Sequence, residues 1–183
     1  MRRLRAKRAA EKKRRYNNPK WRWFAPKDVM AAVRKGLGGR IDLDPASEEV
    51  AQTVVRATKY LTIDDDGLIQ EWHGNVYVNP PYSGNGVIHK WIDKLLEEIA
   101  SGRVKQAILL VNAQTGTKWF RKAAEKASEI CYTGRIRFWR PPELGATNTN
   151  SPAYAQAVLY FGDNPSRFRS AFKRFDNLPR VRM

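Results

Sequence analysis

Gly74-Asn75-Val76-Tyr77-Val78-Asn79-Pro80-Pro81-Tyr82 is the stretch on which the reading of this chain turns. An apolar run of strand length meets two prolines and then a flexible loop, Ser83-Gly84-Asn85-Gly86. Proline has a fixed φ and no N–H, so a strand cannot continue through Pro80 and Pro81. Asn79 is thereby expected at the carboxyl end of a buried strand with its amide oxygen free. Tyr82 follows with a flat aromatic face. In an open α/β sheet, ligands bind in the crevice outside the carboxyl ends of the strands.

Working outward, strands and helices alternate. Upstream, Ile41-Asp42-Leu43-Asp44-Pro45-Ala46-Ser47 reads as a strand followed by a helix that starts at Ser47 and runs to about Lys59. Residues 27–36 read as a helix ended by Gly36, and residues 60–63 as a short strand. Asp64-Asp65-Asp66-Gly67-Leu68 is a turn without the ligand spacing of a calcium loop. Downstream, residues 88–99 repeat apolar side chains at helical spacing, with Trp91, Leu95 and Ile99 inward. Gln106-Ala107-Ile108-Leu109-Leu110-Val111 has the unbroken apolar character of a central parallel strand, and residues 112–117 follow at the ligand edge. A helix is expected over 117–126, strand segments over 130–132 and 135–139, a last strand over 153–161 and a basic amphipathic helix over 167–175. This order predicts an α/β sheet with helices on both faces.

Composition narrows the partner. The chain has 183 residues, enough for one domain with a real core, and there is no internal repeat. Its 34 Lys+Arg against 18 Asp+Glu leave a net charge of +16, which points to a polyanion, most simply nucleic acid. Residues 1–20 carry Arg2, Arg3, Arg5, Lys12, Lys13, Arg14 and Arg15 and read as a flexible basic tail lying along phosphates, ahead of a single domain over 21–183. No apolar run is long enough to span a bilayer, and no apolar core follows the basic amino end as in a secretory signal. The single Cys131 fits a reducing compartment, and a cytoplasmic location is expected. His73, His89 and Cys131 lack metal-ligand spacing, so no metal site is expected.

The chemistry follows from the acceptors. An exocyclic amine on an aromatic ring is a poor nucleophile because its lone pair is delocalised. Asn79 Oδ1 and the Pro80 carbonyl are two acceptors that can bind its two hydrogens and localise the pair. Tyr82 can stack on a base taken out of its helix. Such contacts strengthen as charge develops. Asn-Pro-Pro-Tyr resembles the catalytic motif of amino-methyltransferases that use S-adenosylmethionine. With Trp23-Phe24-Ala25-Pro26, Asp44-Pro45-Ala46, Asp66-Gly67-Leu68 and the late Gly134-Arg135-Ile136-Arg137-Phe138, the order of motifs over residues 21–162 resembles a bacteriophage-type DNA N-6-adenine methyltransferase family, Dam-like in its motifs.

The resemblance implies a Rossmann-like methyltransferase fold, mostly parallel with a late antiparallel strand. It implies methyl transfer from S-adenosylmethionine to N6 of adenine in DNA. Asn79, Pro80, Pro81 and Tyr82 are then catalytic. Trp23, Ala25, Pro26, Asp44, Pro45, Ala46 and Asp66 then line the cofactor. Ala25 stands where the family usually has threonine, leaving only a backbone contact. Ser47-Glu48-Glu49 replaces the usual glycine-rich loop. Asp44 either touches the cofactor or caps the following helix. Asp66 either accepts from the cofactor's adenine or only forms the turn. Arg135 and Arg137 reach phosphate or line a solvated face. Asn148, in the polar stretch 141–152, is a candidate for base-edge contact. The expected partner is DNA, with no membrane and no obligate protein partner. An RNA or protein amino-methyltransferase, or a non-catalytic nucleic-acid-binding module with a degenerate pocket, are the alternatives.

Overall fold

The computed structural model describes residues 23–82, 87–140 and 153–177. Six strands form one sheet. They are β1 (Leu43–Asp44), β2 (Lys59–Tyr60), β3 (Gly74–Val78), β4 (Val104–Asn112), β5 (Glu129–Tyr132) and β6 (Gln156–Phe161). Their order across the sheet is β2-β1-β3-β4-β6-β5. β1, β2, β3 and β4 pair in parallel, while β6 runs antiparallel to both β4 and β5. This is the Rossmann-like methyltransferase arrangement, with the last strand inserted in reverse.

Alternation along the strands sends side chains to two cores. In register across β3, β4 and β6, Tyr77, Ile108 and Tyr160 face one side, and Val78, Leu109 and Leu159 face the other. The first side is covered by α1 (Lys27–Gly36), α2 (Glu49–Val55) and α5 (Pro165–Phe172), the second by α3 (Val87–Ala100) and α4 (Lys118–Lys126). Trp91, Ile92 and Leu95 of α3 and Trp119 and Phe120 of α4 are buried there. Both faces are therefore closed, as the unbroken apolar run of β4 requires.

Several expected boundaries shift. The first strand is Leu43–Asp44, so it includes Leu43 but not Ile41 of the alternating pair. The helix after it spans Glu49–Val55 and ends at Arg56, whose φ of 55° is left-handed, well before Lys59. The chain can then turn back so that Lys59–Tyr60 forms β2, and Ile63 falls in a turn. Arg34 of α1 fixes that helix end by donating to the Val54 and Val55 carbonyls, both at 2.9 Å. Residues 135–139 are not a strand. Phe138 N–H donates to the Ile136 carbonyl two residues back, and only Trp139 bridges, to Phe24. Residues 153–155 lie outside the last strand, which begins at Gln156.

The end of the sheet away from the prolines is locked by a polar knot. Gln106 Oε1 accepts from Tyr160 Oη (2.9 Å) and Arg167 Nη2 (2.7 Å), and its Nε2 donates to the Leu37 carbonyl and Asn75 Oδ1. Arg167 Nε also donates to the Gly36 carbonyl. One side chain thus joins the end of α1 to β3, β4, β6 and α5. Gln106→Leu is expected to leave several of these groups unpaired and lower stability by about 3 kcal/mol. Gln106 lies about 20 Å along β4 from Asn112, so affinity for a ligand at the other end should change little. Urea unfolding together with a binding titration checks both.

Candidate active site

The chain leaves β1 through α2 toward β2, and leaves β3 through α3 toward β4, on the other side. The carboxyl ends of β1 and β3 therefore flank a crevice at the point where the strand order reverses, the usual ligand position in such sheets. Asp44 ends β1, and Asn79-Pro80 follows β3 directly. Pro80 is buried, while Pro81 and Asn79 are half-buried. No side-chain hydrogen bond ties Asn79 to another described residue.

The β1 side is built around a buried acid. Asp44 is 3% exposed. Its Oδ1 accepts from Ala46 N–H at 3.3 Å and its Oδ2 from Gln52 Nε2 at 3.1 Å. Gln52 Nε2 also donates to Ser47 Oγ at 2.7 Å, and its Oε1 accepts from Ala57 N–H. The residue before α2 is Glu48, so Asp44 does not cap that helix. Burial pushes the Asp44 carboxyl up to about 6, against the opposing hydrogen bonds from Ser47, Ala46 and Gln52.

The Asp-Gly-Leu turn closes on this loop. Asp66 takes a left-handed φ of 52°, and Gly67 then packs so tightly that a Cβ there would lie 2.1 Å from the Pro45 carbonyl oxygen. Trp72 Nε1 donates to the Gly67 carbonyl at 2.8 Å, and its ring stacks on Trp91 with centroids 5.9 Å apart. Two motifs separated in sequence thereby meet at Pro45. The lead-in to α1 is held from elsewhere. Phe24 and Trp139 exchange backbone hydrogen bonds, Trp139 Nε1 donates to the Ala25 carbonyl at 3.1 Å, and Arg140 sits 4.9 Å over the Trp23 ring. Pro26 is half-buried, and its carbonyl accepts from Met30 N–H in the first turn of α1.

The opposite rim carries Tyr82. Tyr82 as a whole is 37% exposed, and its hydroxyl accepts from Asn112 N–H at the end of β4. Burial of the hydroxyl raises the Tyr82 pKa beyond its usual value despite that hydrogen bond. Gln156, 1% exposed, ties the rim together. Its Nε2 donates to Asn112 Oδ1 (3.2 Å) and the Tyr154 carbonyl (2.7 Å), and its Oε1 accepts from Ile136 N–H (2.7 Å). Ile136 is buried between exposed Arg135 and Arg137, which follow the end of β5 on this same edge of the sheet. Arg2, Arg3, Arg5, Lys12, Lys13, Arg14, Arg15 and Asn148 lie outside the described residues.

Sequence reasoning missed Gln52, Gln156 and Tyr77. A glutamine at the head of an apolar strand and a phenol inside Val76-Tyr77-Val78 were the available signals. Among the described residues no cluster of three or more His, Cys, Asp or Glu could hold a metal, and no helix is long and apolar enough to cross a membrane.

The family described as DNA N-6-adenine-methyltransferase (Dam) matches residues 13–170 of this chain. The chain belongs to that family. It is also similar to a DNA N-6-adenine-methyltransferase of Haemophilus phage HP1 (strain HP1c1), 27% identical over 118 residues. The alignment spans 63% of each chain, so this Dam-family chain covers somewhat under two thirds of that relative's length. Methyltransferases of this kind are enzymes, and the family implies a methyl donor.

Gly67→Ala should force Pro45 and the Asp44 loop apart and cost about 1–3 kcal/mol by overpacking, read from urea unfolding. Asp44 should also leave a mark on stability against pH. A carboxyl held near 6 in the folded protein, against 3.8, keeps its proton longer than the unfolded chain does. Its contribution is therefore intact below about pH 4 and is lost as pH rises through about 6, an effect of about 3 kcal/mol. The difference between wild-type and Asp44→Asn unfolding free energies across pH 4–7 should show that slope.

Proposed function

We propose that this protein transfers a methyl group from S-adenosylmethionine to the exocyclic N6 amine of adenine in DNA. The observation that supports this reading is that the Asp44-Pro45-Ala46 loop and Asn79-Pro80 follow the carboxyl ends of two neighbouring parallel strands, at the point where the strand order reverses. The residues present fit such a cofactor. A buried carboxylate whose charged form is disfavoured wants a donor or cation, and S-adenosylmethionine offers ribose hydroxyls and an ammonium. The close packing of Gly67 on Pro45 gives that carboxylate a rigid mount.

Bound there, S-adenosylmethionine would supply an electrophilic methyl group on a sulfonium, and the methyl–sulfur bond that breaks would leave its electron pair on sulfur, releasing the neutral thioether S-adenosylhomocysteine. Asn79 Oδ1 and the Pro80 carbonyl accept the two hydrogens of the adenine amine and concentrate its lone pair on nitrogen. As the new N–C bond forms, positive charge grows on that nitrogen, and the same two acceptors bind it more strongly. The amine then releases one proton to solvent. Pro81 stiffens the corner, and Tyr82 offers its ring face to the extruded base. Asp44 holds the cofactor, with Pro45, Ala46 and Asp66 beside it and Trp23, Ala25 and Pro26 covering it. The exposed Arg135 and Arg137, with the basic residues 2–15 and Asn148, contact the DNA.

Asn79→Ala should reduce methyl transfer by about 100- to 1000-fold while leaving S-adenosylmethionine affinity largely unchanged. Labelled-methyl transfer to DNA, RNA and protein, run beside calorimetry, reads both quantities and the substrate class. Parent-rate methylation of DNA by that variant would sink the mechanism, and transfer only to RNA or protein would sink the substrate. Tyr82→Phe should retain most activity because it keeps the ring, whereas Tyr82→Ala should lose it.

A further inference from the structure

Tyr77 lies within β3, two residues before Asn79, and is 2% exposed. Its hydroxyl is buried and has no hydrogen-bond partner among the described residues. Tyr160, in the same lateral row two strands away, shows the usual outcome. Its hydroxyl donates to Gln106 and accepts from Asn164 N–H. A buried hydroxyl left unpaired costs free energy and calls for a reason. Phenylalanine would fill nearly the same space without that cost, so the use of the hydroxyl lies outside the empty protein.

Register says where it points. Leu43 pairs with Val76, and both face the α3–α4 side. The next residues, Asp44 and Tyr77, therefore stand side by side on the opposite face of neighbouring strands, the face covered by α1, α2 and α5, near the carboxyl ends of β1 and β3. The Asp44 charge reaches the phenol. After burial it is the second cause holding the Tyr77 pKa well above its usual value, so the group remains a donor.

We propose that the Tyr77 hydroxyl donates a hydrogen bond to the bound methyl donor, forming with Asp44 a donor–acceptor pair on the floor of the cofactor site. This rests on the reading of the protein as an S-adenosylmethionine-dependent enzyme. Tyr77 is a binding residue here and takes no part in the reaction at the amine.

The test is Tyr77→Phe, with two readouts that move in opposite directions. Without ligand, the variant should melt about 3 °C higher than wild type, because an unpaired buried donor is gone. Its affinity for S-adenosylmethionine and for S-adenosylhomocysteine, by calorimetry, should fall about tenfold. Methylthioadenosine, which lacks the amino-acid end, then assigns the acceptor. A wild-type-to-variant gap that persists places it on the nucleoside, and a gap that vanishes places it on the amino-acid end. A residue that only packs would lower stability or leave affinity unchanged, and either result overturns the proposal. If wild type binds S-adenosylmethionine and the variant binds it equally, this inference alone falls. If wild type does not bind it, the proposed function falls as well.

Discussion

Leu43 and Val76 meet across the pair of strands from which the chain departs in opposite directions. That parallel contact creates the crevice, and it decides what lines it. One residue further along each strand, a carboxylate and a phenol come to the same face. Three residues beyond the phenol the prolines begin, so β3 stops at Val78 and Asn79 and the Pro80 carbonyl lie past its last paired residue. Were the register shifted by one residue, Asp44 would move to the α3–α4 side, and Gln52 and Ser47 could not reach it.

The two rims of the crevice are held by different physics. On the β1 side the closure is steric. Gly67 seats against Pro45, and Trp72 and Trp91 stack behind it, so the loop bearing Asp44 has little room to relax. On the β4 side the closure is polar. Gln156 spends its amide on Asn112, Tyr154 and Ile136, and Asn112 in turn holds the Tyr82 hydroxyl. The Gln106 knot closes the far end of the sheet, so the site end carries the unpaired Tyr77 hydroxyl and the high-pKa carboxylate.

Much of this was legible beforehand. The prolines after Val78 and the unbroken apolar run before Asn112 each mark a strand, because proline ends a ladder and a continuous apolar run suits a strand covered on both faces; their pairing is seen only in the sheet. Helical spacing around Trp91 and Leu95 gives α3 to within a residue at each end. The segment 135–139 was less legible. It alternates like a strand, yet Ile136 N–H is taken by a side chain and Phe138 N–H by a local carbonyl, so no ladder forms. The helix after Asp44 was overextended because nothing in residues 49–59 marks Arg56 as the left-handed stop.

The sequence by itself determined the α/β class, the strand that ends just before Asn79, the basic character of the chain and the order of its motifs. Those properties depend on backbone chemistry, local periodicity and charge, which act over a few residues. Tertiary structure alone decided that Gly67 rests on Pro45, that Asp44 is buried beside Tyr77, and that Gln156 rather than a ladder bond receives Ile136. These depend on strand order and register, and contacts between residues distant in the chain carry no local signature until the sheet has formed.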